Sequence, residues 1–507
     1  MLIKFFKQHY KLLTILLLFL LGIAIYSNTF SSSFHFDDGN YITNNIAIRI
    51  MWLKGLWDFF PSRFITFLTF AINYQFSKLD IFGYHIFNFA IHFGSAILVW
   101  WLVNIIFTTP SIKKNELSKF SRLIAAFTAF IFLSHPLQTE SVTYIWQRCS
   151  SLSGLFYLFS LCFYLKARLL QAGDNPASKW KVFYVLSLIF ASIGMFTKEN
   201  FVTLPLMIIL CEFYFIKANK HLSWKHVIPF LALLPVVPMV LFFTKPETVK
   251  ALQELAHQPV NAGGSYFLTQ LNVLSTYIRL LFVPVNQNLD YDYPIVKSLV
   301  NPEVLASFFF LAAVIIIAIR MFSRYRLLSF GIFWFFLTLL PESSIIPIED
   351  VIFEHRLYLP LFGYSLFLVS GLFYLLKCKK IGLIVTVLSL ITICYSIMTY
   401  ERNKVWKDEF TLWNDTVKKS PHKARPRINR GMAYGVKEEY DQAIADFDKA
   451  IEINPNLPES YYNRAVAYNE KGDYTRAWQD VHKAESLGFK ARPNFLDKLR
   501  RASGREY

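Results

Sequence analysis

Repeated long apolar runs constrain this chain more than any other feature of its sequence. A run of about 17–25 residues can cross a hydrocarbon core that is about 30 Å thick. Apolar residues make up 54% of the 507 residues, whereas a soluble globular protein would hold about 45–50%. The sequence therefore predicts an all-α, polytopic membrane protein with about eleven transmembrane helices. The predicted spans are 12–26, 85–107, 122–134, 151–167, 181–196, 201–216, 227–243, 303–320, 327–341, 357–376 and 381–399.

The net charge of +17 belongs to the loops between these runs and does not indicate a nucleic-acid partner. Residues 401–507 hold 21 Lys and Arg against 17 Asp and Glu, which leaves 31 against 18 for the first 400 residues. No groove pattern of basic and aromatic residues accompanies this surplus. With eleven spans, all basic clusters fall on one side, so the positive-inside rule predicts a cytoplasmic N-terminus and a C-terminal region outside. The clusters are Lys113, Lys114, Lys119 and Arg122; Lys166, Arg168, Lys179 and Lys181; Lys217, Lys220 and Lys225; Arg320, Arg324 and Arg326; and Lys377, Lys379 and Lys380.

One further apolar segment, residues 266–284, is nearly long enough to cross a membrane. Gln270, Asn272 and Arg279 interrupt it, and a charged residue near the centre of a span costs about 2.5–3.5 kcal/mol. Counting this segment as a span would also move the later basic loops to the other side. We therefore expect an amphipathic helix on the outer face, within an outer loop of residues 244–302.

The C-terminal region, residues 401–507, is polar and repeats with a period of 34 residues. This is the period of tetratricopeptide helix pairs. We predict two full repeats, at about 424–457 and 458–491, in a helical solenoid that follows a membrane domain of residues 1–400. The solenoid would be either a structural extension or a concave surface for a protein partner. The recurring positions include Asn429-Arg430 with Asn463-Arg464, and Asp446 with Asp480.

Unusual polar residues collect at the predicted outer edge of the spans. The pair Asp37-Asp38 follows the first span, within an outer loop of residues 28–84. Carboxylates at this boundary can meet a lipid-borne substrate and a soluble one together. Ionisable groups at a membrane edge are functional candidates, although salt bridges and snorkelling explain many of them. The other motifs on this face are residues 135–141 with Arg148, Lys198-Glu199, residues 290–294 and residues 354–360.

Each of these motifs also has a structural explanation. The residues around Asp37-Asp38 are typical of a turn, and His135-Pro136 can simply end a helix. Lys198-Glu199 can be a turn with an interfacial ion pair. Three histidines on this face could join the aspartates around a metal, but their spacing is not that of metal ligands, and no metal site is predicted. These histidines are His35, His135 and His355.

The order of these motifs, together with the repeats, resembles that of the transmembrane-and-tetratricopeptide O-mannosyltransferase-like proteins. These proteins are members of the GT-C glycosyltransferase superfamily. The resemblance extends through most of the chain, although the repeat region is far shorter than the long arrays of the animal members. The motifs that carry it are Asp37-Asp38 with Asn44-Asn45, residues 63–74, 85–92, 135–136 and 139–142, Arg148, Lys198-Glu199, and residues 203–206, 277–281, 290–294 and 354–360.

The resemblance implies a GT-C fold and an inverting transfer of a hexose, with mannose preferred, to an acceptor hydroxyl on the outer face. The donor would be a polyprenyl-phosphate sugar. Asp37 or Asp38 would act as the base, with Asp38 preferred. Cations would stabilise the departing lipid phosphate, and further acids would orient the sugar, the acceptor or those cations. The candidate cations are Arg148, Lys198 and Arg356, and the candidate acids are Glu140, Glu199 and Glu354.

The expected partners are the sugar donor, a protein or glycan acceptor with a Ser or Thr hydroxyl preferred, membrane lipid, and a protein at the repeats. No cofactor is predicted, and no motif supports a divalent metal. The short repeat region and the dense use of Ile, Phe, Lys and Asn favour a bacterial inner membrane with periplasmic repeats, although an endoplasmic reticulum with lumenal repeats would have the same topology. Two other classes stay open: a transporter or lipid-sugar flippase, which would place ionisable residues near mid-membrane, and a non-catalytic scaffold that recruits partners through its repeats.

Overall fold

The computed structural model describes residues 2–171, 179–216, 224–244, 261–298, 300–344, 348 and 350–504. These residues form helices and no β-strand, which confirms the all-α prediction. They divide into two compact units. We call them the membrane unit, which comprises Met1–Ser32, Asp37–Gln287 and Pro294–Lys404, and the repeat unit, which comprises Ser33–Phe36, Asn288–Tyr293 and Val405–Tyr507.

The helices of the membrane unit follow the apolar runs of the sequence. Short helices connect the longer ones near the candidate site described below. The helices are α1 (Leu2–Tyr26), α2 (Ile46–Arg49), α3 (Leu53–Phe59), α4 (Phe64–Ser77), α5 (Ile81–Thr108), α6 (Ser121–Ser134), α7 (Thr139–Thr143), α8 (Arg148–Gln171), α9 (Lys179–Gly194), α10 (Leu204–Cys211), α11 (Trp224–Leu231), α12 (Val236–Thr244), α13 (Asn261–Phe282), α14 (Pro302–Met321), α15 (Arg326–Leu339), α16 (Pro360–Leu375) and α17 (Ile381–Val405).

Seven helical segments of the described residues are long and apolar enough to cross a membrane. The multi-pass prediction is therefore confirmed, whereas the count of about eleven spans is not. Of the remaining predicted spans, three form helices of only 14 to 16 residues, α9, α15 and α16. The fourth, 227–243, forms α11 and α12 with a turn between them, where Pro235 lacks the N–H that a continuous helix needs. The seven segments are Gln8–Thr29, Ile81–Thr108, Glu116–Ser134, Ile145–Gln171, Glu199–Ile216, Pro302–Met321 and Ile381–Val405.

Two sequence predictions fall partly outside the described residues. The cluster residues Lys217 and Lys220 lie in the undescribed range 217–223, and part of the predicted outer loop of residues 244–302 lies in the undescribed range 245–260.

The interrupted apolar segment at 266–284 is helical and forms most of α13. Its polar side chains are used within the membrane unit: Gln270 Nε2 donates to the carbonyl of Val351 at 2.9 Å, and the Tyr277 hydroxyl donates to the carbonyl of Phe353 at 2.9 Å. Both acceptors lie in the loop that leads to residues 354–360. The polar positions of α13 therefore hold a loop of the candidate site by its backbone.

Helices α15 and α16 approach each other through two glycines. A Cβ atom added to Gly331 would lie 2.5 Å from the carbonyl oxygen of Gly363, and one added to Gly363 would lie 2.5 Å from that of Gly331. Small residues permit this close backbone approach, which helices in membranes use in place of a hydrophobic driving force. The crossing at Gly363 therefore lies in the first turn of α16, three residues after the end of the motif at 354–360.

The repeat unit contains helix pairs that follow the 34-residue period. In the first pair, Gly431 allows close packing, since a Cβ atom there would lie 2.6 Å from the Phe447 ring. The helices are α18 (Glu409–Lys419), α19 (Ala424–Val436), α20 (Tyr440–Ile453), α21 (Pro458–Glu470), α22 (Tyr474–Ser486) and α23 (Pro493–Ser503).

Arginines at equivalent positions of the two repeats hold neighbouring helices together. Arg430 makes a two-pronged contact with Asp446, with both nitrogen–oxygen distances at 2.7 Å. Thirty-four residues later, Arg464 makes the same contact with Asp480 at 2.7 Å. Such planar, paired hydrogen bonds are among the strongest between side chains. The recurring Arg and Asp positions of the sequence are therefore the ion pairs of a repeated helix arrangement.

Two short segments from elsewhere in the chain also belong to the repeat unit. In one, the carboxylate of Asp290 accepts from Arg425 Nε at 2.7 Å and from Arg425 Nη2 at 2.6 Å, and it also binds the Lys423 ammonium. In the other, the backbone N–H of Phe36 donates to Glu409 Oε1 at 2.8 Å. The predicted outer-edge motif at 290–294 therefore supplies an ion-pairing residue of the repeat unit.

Candidate active site

Residues 135–150 form the centre of the candidate site in the membrane unit, and all of them are buried. They connect α6 to α8 through short helical turns. Helix α6 ends at Ser134, because the proline after His135 disfavours the helical conformation at His135. His135 Nε2 lies 2.9 Å from the carbonyl oxygen of Leu281, and Nδ1 accepts from the N–H of Leu137 at 3.3 Å. Burial lowers the pKa of His135 to about 4, so this histidine is a neutral structural residue.

The two aspartates that follow the first span both contact this central segment, but in different ways. Asp38 is fully buried, and its Oδ1 accepts from the backbone N–H of Trp146 at 2.7 Å. Asp37 is only partly buried, and its backbone N–H donates to the Tyr144 hydroxyl at 3.0 Å. Burial, followed by the charges of the two aspartates, raises the pKa of Tyr144. Tyr144 is therefore a neutral neighbour of both carboxylates.

Glu199 reaches the same segment through an arginine that sequence reasoning did not assign to the site. Arg63 donates from Nε to Glu199 Oε1 at 3.1 Å and from Nη2 to Oε2 at 2.9 Å. The guanidinium of Arg63 also lies 5.6 Å from the centre of the Trp146 ring. On Trp146, the ring of Tyr41 stacks at 4.1 Å with an angle of 10°. The indole of Trp146 thus has Tyr41 and Arg63 as neighbours, and the backbone N–H of the same tryptophan binds Asp38.

Lys198 forms a buried ion pair with an acid that the sequence analysis missed. Its Nζ lies 2.9 Å from Glu342 Oε1 and donates to the Ser150 hydroxyl at 3.1 Å. The exposed fractions of the two side chains are 6% for Lys198 and 11% for Glu342. Glu342 directly follows the predicted span 327–341, and an acid at the end of a span is a signal that would have identified it.

Glu140 and His355 form the second buried pair of the site. Glu140 Oε1 lies 2.6 Å from His355 Nδ1, and Oε2 accepts from the backbone N–H of His355 at 3.1 Å. Burial, followed by the charge of Glu354, raises the pKa of Glu140. Burial and the cations Lys198, Arg356 and Arg63, in that order, lower the pKa of His355. Both shifts favour uncharged side chains at this contact.

The neighbours of His355 are held by backbone and amide groups. Glu354 is buried, and its Oε2 accepts from Gln287 Nε2 at 2.7 Å. Arg356 is also buried and donates to the carbonyl of Val351 at 2.9 Å and to that of Asp350 at 2.7 Å. The Arg356 guanidinium is therefore held in place by the backbone of residues 350 and 351.

Arg148 has a different environment from the other two predicted cations. It is fully buried, and its guanidinium donates to Asn88 Oδ1 at 2.6 Å and to Asn73 Oδ1 at 2.8 Å. It also lies 4.3 Å from the centre of the Phe70 ring. These contacts join the start of α8 to α4 and α5. Arg148 therefore positions the central segment, residues 135–150, which both aspartates contact.

The structure brings all eight predicted residues into one connected set around residues 135–150. Asp37, Asp38 and Lys198 contact this segment directly, while Glu199 reaches it through Arg63. Glu354 acts on it electrostatically through Glu140, and Arg356 does so through His355. Within the described residues, no group of three or more His, Cys, Asp or Glu side chains is arranged to hold a metal ion. The residues that sequence reasoning missed as members of the set are Arg63, Tyr144, Gln287 and Glu342.

An apolar cavity of about 300 Å³ borders this set. Residues of α13, α14, α15 and α16 line it, including several phenylalanines. Two of the lining residues, Leu281 and Tyr364, also contact His135, through the hydrogen bond given above and at a ring distance of 5.6 Å. An apolar space is therefore available in the membrane unit beside the central segment.

Several known proteins are similar in sequence to this chain. The sequence profile described as TPR repeat matches residues 424–472, which confirms the repeat prediction. Protein O-mannosyl-transferase TMTC3 of Homo sapiens is 24% identical, over 85% of this chain and 50% of the human protein. Protein O-mannosyl-transferase F38B6.6 of Caenorhabditis elegans is also 24% identical, over 88% of this chain and 63% of the worm protein. The predicted resemblance is confirmed.

The chain spans about half of the length of the human relative. A solved structure of the Archaeoglobus fulgidus oligosaccharyltransferase, tethered with an acceptor peptide, aligns with 95% of this chain and 72% of its own. Its sequence identity is 14% and its TM-score is 0.47, and a superposition this loose does not define a common fold.

Proposed function

We propose that this protein is a membrane glycosyltransferase of GT-C type that transfers a hexose from a polyprenyl-phosphate carrier to an acceptor hydroxyl. The observation that carries the proposal is the connected set of acids and cations around residues 135–150, beside an apolar cavity. The names of the relatives support mannose as the sugar and a protein as the acceptor. The acceptor would be a Ser or Thr hydroxyl on the outer face of a bacterial inner membrane.

In the proposed reaction, the acceptor oxygen forms a bond to the anomeric carbon as the bond from that carbon to the phosphate oxygen breaks. The polyprenyl phosphate leaves with the bonding electrons, and direct displacement inverts the anomeric centre. The acceptor proton goes to an aspartate, since a positioned carboxylate within hydrogen-bond reach suffices as the new bond forms. Asp37 is favoured for this contact because it is partly exposed, whereas Asp38 is fully buried with Trp146. Sequence reasoning alone preferred Asp38.

The departing phosphate needs cations, because charge that develops in a water-poor site is stabilised most strongly by fixed opposite charges. We assign this role to Lys198 and Arg356, with Lys198 held by Glu342 and Arg356 by backbone carbonyls. Arg148 is assigned to positioning, since its guanidinium is occupied by two asparagines. The sequence-based candidates for orienting the sugar, the acceptor and the cations keep those roles: Glu140, Glu199 and Glu354.

The apolar cavity suits one segment of the polyprenyl chain, because phenylalanine and aliphatic side chains line it and it borders the candidate site. The donor phosphate would then lie at the level of the central segment. For the repeat unit we propose a protein partner, recognised along the concave face of the helix pairs.

The test is transfer of radiolabelled mannose from polyprenyl-phosphate mannose by the purified full-length protein. We expect Asp37→Asn to reduce kcat by at least about 100-fold, the size of a general-base contribution. The matched control is Asp58→Asn, which removes the same charge from an exposed aspartate in the same loop and should transfer at the wild-type rate. Parallel reactions with and without EDTA test whether a divalent metal takes part.

Two outcomes would contradict the proposal. If folded Asp37→Asn and Asp38→Asn both transfer at the wild-type rate, the aspartates do not supply the base. If the wild type transfers no sugar from any of several polyprenyl-phosphate donors, two other classes gain support. Movement of the intact lipid between leaflets would then identify a flippase, and partner binding through residues 424–491 alone would identify a scaffold.

A further inference from the structure

A second cavity, of about 590 Å³, lies in the membrane unit and has basic, aromatic and aliphatic side chains in its wall. Its lining residues come from α1, α5, α6 and α8, and we call it the basic cavity. It is distinct from the apolar cavity, which residues of α13 to α16 line. The polar and aromatic residues of its wall that matter here are Lys11, Trp100, Trp101, Asn104, Arg122 and Lys166.

The basic cavity lies at the opposite ends of the same helices that lead to the candidate site. Arg122 is near the start of α6, which ends at the central segment, and Lys166 is near the end of α8, which begins in that segment with Arg148. At a rise of 1.5 Å per residue, Arg148 and Lys166 are separated by roughly 27 Å along α8. This approaches the thickness of a hydrocarbon core of about 30 Å. The two sites therefore face opposite surfaces of a membrane.

Three cations from three different helices meet at this cavity. They are Lys11 of α1, Arg122 of α6 and Lys166 of α8, and no acidic residue is among the lining residues. The guanidinium of Arg122 lies 4.3 Å from the centre of the Tyr10 ring. The positive-inside rule explains basic residues in loops, but these three lie within helices and converge on one space. Such a convergence of positive charge fits a multiply oxygenated anion.

The wall also holds a hydrogen-bond donor that needs an acceptor. The side chain of Trp100 is 8% exposed, and its indole N–H has no hydrogen-bond partner among the described residues. An indole nitrogen can only donate, and a buried donor without a partner is costly. An anion with several oxygens in the basic cavity would supply the acceptor.

The surface of α1 beside the cavity is apolar and exposed. Leu12 directly follows Lys11, and Leu16 and Leu20 continue from it at intervals of four residues; the exposed fractions of the three residues are 66%, 48% and 54%. Residues four apart lie on one face of a helix, so this is a continuous apolar stripe that starts at the cavity. An apolar stripe contributes nothing to the binding of a soluble anion, whereas the acyl chains of a lipid can pack along it.

We propose that the basic cavity binds the phosphate headgroup of an anionic membrane phospholipid, with its acyl chains along the exposed leucine stripe of α1. The site is separate from sugar transfer and does not depend on that proposal. Lys11, Arg122 and Lys166 contact the phosphate, and the Trp100 N–H donates to one of its oxygens.

The proposal is tested by measuring the binding of phosphatidylglycerol to the full-length protein in zwitterionic detergent. Native mass spectrometry is the readout. The triple variant Lys11→Gln, Arg122→Gln, Lys166→Gln should bind about 100-fold more weakly, because each cation near a lipid phosphate contributes about 1 kcal/mol. The matched control is Lys179→Gln, Lys181→Gln, Arg320→Gln. It removes the same three charges from exposed positions that do not line the cavity, and it should change binding by less than about threefold.

Trp100→Phe supplies a test that does not change the net charge. It keeps an aromatic ring and removes the N–H, and we expect about tenfold weaker binding, the usual size for a hydrogen bond to a charged group. Circular dichroism and thermal unfolding in detergent identify folded variants. If the triple variant does not fold, the three single variants replace it in the test. Each single variant is expected to bind phosphatidylglycerol about fivefold more weakly than the wild type.

Two results would overturn the proposal. Equal losses in the two triple variants would mean that lipid is attracted by the general surface charge. Displacement of phosphatidylglycerol by millimolar inorganic phosphate, with the same dependence on the three cations, would make the cavity a site for a soluble anion. Support requires that phosphatidylcholine binds weakly to every variant and that only the cavity variants lose phosphatidylglycerol.

Discussion

Glu140 Oε1 lies 2.6 Å from His355 Nδ1, and this contact joins two buried side chains whose pKa shifts favour their uncharged forms. A protonated Glu140 satisfies both of its contacts with His355. The carboxyl O–H donates to Nδ1, and the other oxygen accepts from the backbone N–H. The pair therefore joins residues 135–150 to residues 354–360 without adding charge to the site.

Glu140→Gln should reproduce the protonated form, because the amide presents an N–H donor to the ring and a carbonyl oxygen that can accept from the backbone N–H. A carboxyl whose pKa is raised by folding stabilises the protein below its unfolded pKa of about 4.3 and loses that contribution as pH rises through the folded value. We therefore expect the free energy of unfolding of the wild type, relative to Glu140→Gln, to fall between pH 5 and 8. Thermal unfolding in detergent across this range measures the difference, and a flat or rising difference contradicts the assignment.

His355→Ala is the companion variant, since it leaves the buried Glu140 without its ring partner. An unsatisfied buried polar group costs about 1–3 kcal/mol, so the melting temperature should drop at every pH. A variant as stable as the wild type would show that the 2.6 Å contact does not hold residues 354–360 in place.

Asp38 variants should separate a structural role from a chemical one. Asp38→Asn keeps an oxygen that can accept from the Trp146 N–H, whereas Asp38→Ala removes it. We expect Asp38→Ala to lose about 1–3 kcal/mol of stability and Asp38→Asn to lose less. Chemical denaturation of the two proteins gives the comparison, and equal losses would mean that the carboxylate charge, not the hydrogen bond, is what matters.

The pair formed by Lys198 and Glu342 should show strong coupling in a double-mutant cycle. Removing one partner of a buried ion pair costs about 3–5 kcal/mol, because the other charge is left buried alone. Lys198→Met and Glu342→Gln should each destabilise the protein by this amount, and the double variant should recover much of it. Additive losses, measured by thermal unfolding, would mean that the two side chains do not interact in the folded protein.

Gly363→Ala should destabilise the crossing of α15 and α16. The added Cβ atom would lie 2.5 Å from the Gly331 carbonyl oxygen and 2.9 Å from an atom of the Trp334 ring. Overpacking of this kind costs about 1–3 kcal/mol. Gly382→Ala is the control, since its Cβ atom would meet nothing within 4 Å, and its stability should stay within about 0.5 kcal/mol of the wild type. Equal stabilities of the two variants would mean that the crossing can relax at little cost.

The helical architecture was predictable because long apolar runs and a 34-residue period are local signals. The interruption between α11 and α12 was visible as Pro235, yet it was overlooked inside a run that was apolar throughout. The crossing at Gly331 and Gly363 was not predictable, since it depends on which helices are neighbours. Helix length was also misjudged for α15 and α16, where apolar residues continue beyond the helix ends.

The candidate site was predictable as a set of motifs but not as a set of pairs. Glu342 lies 144 positions after Lys198 in the sequence, and nothing near either residue indicates their contact. The different burial of Asp37 and Asp38 was also hidden, because Asp38 is buried against the backbone of Trp146, 108 positions later in the sequence. Two identical neighbours are thus distinguished by a contact that the local sequence does not reveal.

The assignment of Ser33–Phe36 and Asn288–Tyr293 to the repeat unit limits how such a protein can be recombined. Exchanging the repeats for those of a relative by a single crossover after Lys404 would leave four residues before Asp37 and six residues after Gln287 with foreign partners. Glu409 and Arg425, which bind these segments, would have to be matched in the donor. A viable chimera therefore needs three coordinated exchanges in the gene, and the two regions are expected to have been inherited together.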